Sequence, residues 1–84
     1  MMDSTKVLHL VKEAKELIEP YRFFGKTVID AIERLTTIEM QINSKRDIEA
    51  YNTVKKLVEE AKPYRQYIPE LFNKFEKLCI ELES

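Results

Sequence analysis

A chain of 84 residues with 44% hydrophobic and 35% charged residues is too apolar to stay disordered and too charged to be a membrane protein. Fourteen basic against fifteen acidic side chains leave a net charge of −1, so no whole-molecule field is directed at nucleic acid or anionic lipid. One Gly and three Pro give little material for β-turns, while a single Cys excludes an intrachain disulfide and fits a reducing compartment.

The length predicts one domain, residues 1–84, with a small core. Its first helix is expected to begin after Asp3 or Ser4, either of which can cap free amides of the first turn. Val7, Leu10, Val11, Ala14, Leu17 and Ile18 follow the i, i+3, i+4, i+7 pattern of one helical face. The run Val7-Leu8-His9-Leu10-Val11 is too short for a signal peptide or membrane span and is broken by Lys12 and Glu13. A cytoplasmic protein with no membrane partner is therefore expected. Pro20 lacks an N–H and disfavours helical geometry at Glu19, so the helix should stop or kink there.

A second helix is predicted from about Phe24 to Asn43, with Val28, Ala31, Ile32, Leu35, Ile38 and Ile42 inward. Asn43-Ser44-Lys45-Arg46-Asp47 is the strongest loop signal, and Ser44 or Asp47 should cap the third helix. That helix turns Ala50, Tyr51, Val54, Leu57, Val58 and Ala61 inward and meets Pro63. The fourth should begin near Pro69, because proline suits the first helical position, and carries Leu71, Phe72, Phe75, Leu78, Cys79 and Leu82 on its face.

The halves align at an offset of 43 residues: Val11, Lys12, Glu16, Pro20, Tyr21, Arg22, Glu33 and Leu35 match Val54, Lys55, Glu59, Pro63, Tyr64, Arg65, Glu76 and Leu78. The contiguous Pro-Tyr-Arg is the part hardest to assign to chance. Two folds accommodate these features. The favoured one is an all-α, small antiparallel four-helix bundle built of two duplicated helical hairpins, monomeric in solution. The alternative keeps the 3-4 spacing running across Pro20, Pro63 and Pro69, giving two long proline-kinked helices folded at Ser44. Ile18, Ile29, Ile32, Val58 and Phe72 make the stripe too wide for two helices, so that hairpin would have to become a homodimer.

No catalytic or metal motif emerges, and no cofactor is expected. His9 is the sole histidine, and a di-iron bundle needs Glu-x-x-His on two helices. Cys79 lies among apolar neighbours with no activating base, and reads as a small core hydrophobe. Asp30, Glu33 and Glu39 read as a solvated helical face. The segment Thr27 to Arg34 holds one basic and two acidic residues, which makes poor material for a DNA groove.

The two Pro-Tyr-Arg segments carry five of the eight aromatics, and an up-down-up-down bundle would bring both to the end opposite the termini. Tyr and Arg are enriched where binding energy concentrates. Tyr21, Arg22, Phe23, Phe24, Tyr64, Arg65 and Tyr67 are thus the candidate partner-binding residues. The expected function is a small non-catalytic protein–protein interaction module that docks on a larger protein. The runner-up is an accessory protein of a nucleic-acid complex, touching DNA or RNA through Lys55, Lys56, Lys62 and Arg65.

Overall fold

The structure is a computed structural model describing residues 3–83. Among the described residues there are four α-helices: α1 Ser4–Ile18, α2 Lys26–Asn43, α3 Asp47–Ala61 and α4 Pro69–Glu83. Among the described residues there is no strand. Each helix packs on two neighbours in the cyclic order α1, α2, α3, α4 and back to α1. The chain therefore reverses at both proline segments, and the continuous kinked hairpin does not form.

The repeat is more regular in three dimensions than in sequence. Ser4 and Asp47, Ile18 and Ala61, and Lys26 and Pro69 are equivalent helix boundaries, each pair 43 residues apart. Val11 with Val54, and Leu35 with Leu78, occupy equivalent and fully buried positions. Val7, Ala14, Ile18, Ile38, Leu57 and Phe75 join them in one core cluster fed by all four helices.

Local chemistry explains the boundaries. The Asp3 carboxylate accepts the Lys6 amide at 3.2 Å and caps α1. Contrary to the sequence expectation, neither Ser44 nor Asp47 caps α3. Arg46 holds that position without a side-chain cap, and Asp47 is the first helical residue, where its charge complements the helix dipole. Nor does the residue before each proline leave helical space. Glu19 (φ −53°, ψ −43°) and Lys62 (φ −50°, ψ −46°) stay right-handed, and the chain tightens into 3-10 turns at Glu19–Phe24 and Lys62–Tyr64. Each proline sits in the first turn of its 3-10 helix, where the missing N–H leaves no bond unmade.

Reversal comes after the prolines. In the first hairpin it is made at Gly25, with φ 114° and ψ −158°. The second uses a turn over residues 65–67, in which the Tyr67 amide donates to the Tyr64 carbonyl at 3.0 Å.

Between the hairpins, α2 ends in a Schellman motif. The Arg46 amide donates to the Gln41 carbonyl at 2.8 Å and the Lys45 amide to Ile42 at 3.0 Å, with Lys45 left-handed at φ 60°. A side chain in that conformation is strained, and glycine is not. Lys45→Gly is expected to raise stability by roughly 0.5–1 kcal/mol, after allowing for the extra freedom glycine gives the unfolded chain. Chemical denaturation midpoints check it.

The inward face of α2 is buried over only part of its length. Leu35, Ile38 and Ile42 are buried, but Val28, Ala31 and Ile32 are only half-buried, short of the expectation. The cross-helix pairs give the reason. Arg34 pairs with Glu60, the penultimate residue of α3. The first eight residues of α2, about 12 Å of helix at the standard rise, thus run past the end of α3 with no full helix beside them.

Candidate functional site at the proline end

The overhang of α2, the first 3-10 segment and residues 63–68 surround an open cavity of about 820 Å³. Its floor is the end of the core: Ile18, Leu57, Ala61, Leu71 and Phe75. Thr27, Val28, Asp30 and Ala31 form the wall on α2, Tyr21 and Phe24 the wall from the first proline segment, and Pro63, Tyr64, Tyr67 and Ile68 the wall from the second. Both proline segments therefore meet at one groove. The tyrosines frame the end of the core without sealing it.

The aromatics are unusually open. Phe23 is 78% exposed, Phe24 67%, Tyr67 79% and Tyr64 48%, while Tyr21 is half-buried. Rings of the first segment support one another: Tyr21 stacks on Phe24 with centroids 5.6 Å apart, and Phe23 lies tilted against Phe24 at 4.6 Å. This self-packing holds apolar rings in solvent, where burial would otherwise be favoured.

Three of the seven sequence-named residues do not line the groove: Arg22, Phe23 and Arg65. Arg22 pairs with Glu19 at 2.9 Å, one 3-10 turn back. Arg65 is exposed and has no side-chain partner among the described residues. Sequence reasoning missed Asp30 and Glu60, which are the charged residues lining it among the described residues. Glu60 accepts two bonds from the Arg34 guanidinium, at 2.6 and 2.8 Å. These bonds hold the Glu60 carboxyl below its ordinary value and raise that of Arg34, to which Asp30 adds a smaller electrostatic push. Asp30 and Arg34 are four residues apart on α2, a spacing that places them side by side.

The Glu60 shift has a pH consequence. A carboxyl with a depressed folded-state pKa adds stability above its unfolded value, and that stability is lost as pH falls through the folded value. Because the pair is largely exposed, Glu60→Gln should lower stability by only about 0.2–1 kcal/mol at neutral pH. The difference should close as the pH drops below the ordinary carboxylate range, as read by denaturation at a series of pH values.

The alternative basic track is interleaved with acid. Lys62 bonds Glu59 at 3.1 Å, Lys56 lies close enough to Glu60 to stabilise its charge, and Lys55 sits 5.4 Å over the Tyr51 ring. Arg65 stands beyond them on the turn after the second 3-10 helix.

His9 and Cys79 lie away from the groove. His9 is exposed on α1. Cys79 is half-buried near the far end, and burial pushes its thiol up, away from the reactive thiolate. There the Tyr51 hydroxyl donates to Glu83 at 2.8 Å, and that bond pushes the phenol up to about 12. Among the described residues no group of three or more His, Cys, Asp or Glu side chains could hold a metal ion, and no helix is long and apolar enough to cross a membrane.

Comparison with known proteins adds no assignment: no family model, curated protein or solved structure matches the chain.

Proposed function

We propose that the protein is a small non-catalytic interaction module that docks on a larger protein through the groove at its proline end. One observation carries the reading: aromatics from both proline segments converge on a single open apolar cavity and stay exposed there. Contiguous exposed apolar surface marks sites of association, and Tyr and Phe are enriched at the centres of such sites. Neither His9 nor Cys79 lines the groove, so the residues best suited to chemistry are elsewhere.

Arg22 and Arg65 would act at the rim, where charge steers encounter more than it adds affinity. The binding energy would come from Phe24, Tyr64 and Tyr67.

The test is site-specific photocrosslinking in the native cell. A photoreactive phenylalanine analogue at position 67, in the groove, is expected to give a discrete protein adduct. The same group at position 45, at the far end, is expected to give none. Phe24→Ala with Tyr64→Ala should weaken the position-67 adduct at least tenfold, and high salt should leave it largely intact because apolar docking is not screened. Adducts only from position 45, or a position-67 adduct to nucleic acid, would overturn the reading.

A further inference from the structure

The form of the groove narrows what can fill it. Small-molecule sites enclose most of their ligand. Here the aromatic walls stand mostly in solvent, so an occupant must be long enough to cover Phe24, Tyr64 and Tyr67 as well as fill the floor. A peptide that adds as a β-strand would need a free sheet edge, and there is no strand among the described residues.

The wall on α2 has a different property. Its overhang presents Val28 and Ala31 at i, i+3 spacing for about two turns, with no full helix opposite. Ala31 is small, which allows a second helix to approach closely along that ridge. The vacancy has the shape of a short fifth helix laid against α2.

Charge then sets the flank of that helix. Among the described residues, the only charged ones lining the groove are Asp30 on α2 and Glu60 on α3, and no lysine or arginine lines it. Arg34 engages Glu60 in two bonds but makes no hydrogen bond to Asp30. Asp30 acts on Arg34 only through space, so its carboxylate remains open to a donor at the groove wall.

Resting on the docking function proposed above, we infer that the groove receives an amphipathic helix of the partner, about two to three turns long, with large apolar side chains facing inward and lysine or arginine on the flank beside Asp30. Helix-in-groove recognition reads such a segment through anchors at i, i+3 or i+4 and i+7. Phe24, Tyr64 and Tyr67 close over its outer side.

The probe is a displayed library of 16-residue peptides on an alanine-rich helical scaffold, randomised at all remaining positions and selected on the intact protein. Selected peptides are expected to show apolar residues at helical spacing and an excess of Lys and Arg on one flank. Asp30→Lys should weaken them at least tenfold at low salt, whereas Glu33→Lys, exposed on α2 outside the groove, should change affinity by less than threefold. Phe24→Ala with Tyr67→Ala should abolish binding, and circular dichroism of each variant establishes that the fold persists.

Failure to select any peptide, selection without helical periodicity, selection of acidic flanks, or indifference to Asp30→Lys would each overturn the inference. So would self-association in sedimentation that Tyr67→Ala dissolves, since a second copy would then fill the groove. A position-67 crosslink to a protein in cells, together with any of the first four outcomes, retains docking at this end and discards only the basic helix. Absence of that crosslink removes the docking reading itself.

Discussion

Leu35→Ala and Leu78→Ala are each expected to lower the free energy of unfolding by about 2–5 kcal/mol. Both side chains are fully buried, at 0% exposure, and both belong to the core cluster shared by all four helices. Removing either forfeits the transfer energy of its methyl groups and leaves a void that the neighbouring helices close only in part. A domain of this size has a total stability on the order of 5–15 kcal/mol, so either change takes away a large share of it. Melting temperatures should fall by roughly ten degrees or more. Because the two leucines are equivalent in the repeat, similar losses are expected from both, and the double variant should be largely unfolded at ambient temperature. Melts within a few degrees of the parent would show that the inward faces of α2 and α4 are assigned wrongly.

Gly25→Ala is expected to destabilise by about 1–3 kcal/mol, the usual range for a residue forced into a sparsely populated backbone region. The glycine sits at φ 114° and ψ −158°, the mirror image of extended backbone, which L residues essentially never adopt. A Cβ added there would meet nothing within 4 Å, so the penalty is conformational and owes nothing to crowding. Gly25→Ser should therefore behave much like Gly25→Ala. The effect also bears on the groove, since this residue sets the angle at which the α2 overhang leaves the first proline segment. Denaturant unfolding decides the point: a variant as stable as the parent would mean that the turn has another low-energy path. At Lys45 the logic runs in reverse, because there a side chain already occupies left-handed backbone and glycine relieves it.

Much of the scaffold is legible in the periodicity. Val7, Val11, Val54, Leu57 and Leu78 are named by 3-4 spacing and are buried in the structure. Pro69 opens α4 as its missing N–H suggests. What spacing cannot show is whether a face has a neighbour. Val28 and Ala31 continue the inward stripe of α2, yet they lie past the end of α3 and are left half-buried. A signal for this was present: aligning Lys26 with Pro69 marks the start of α2, and the helix then runs on to Asn43, longer than its companions. Gly25 matters through its backbone, and composition alone does not say that this single glycine carries positive φ.

The groove was partly legible too. Tyr21, Phe24, Tyr64 and Tyr67 follow from the repeated tripeptide, because the fold brings equivalent connections to one end. Arg22 and Arg65 were given weight from residue type, but neither lines the cavity: Arg22 pairs with Glu19 inside the first 3-10 segment and Arg65 stands on the turn after the second. Asp30 was read as part of a solvated face, which describes its helix but not its position beside the unfilled end of the core.

The closeness of the start of α1 to the end of α4 has a practical consequence. Lys6 and Glu81 are bridged at 2.9 Å, so the first turn of α1 lies beside the last turns of α4. A short flexible linker joining those ends, with a cut between Ser44 and Arg46, would yield a circular permutant running α3, α4, α1, α2. Its two hairpins would keep their shared register, and the new ends would again emerge away from the aromatics. A fluorophore, a resin or a neighbouring domain tethered beside the start of α1, the end of α4 or the permuted ends would therefore hang from the base of the bundle and hold the groove outward, like a cup carried by its foot.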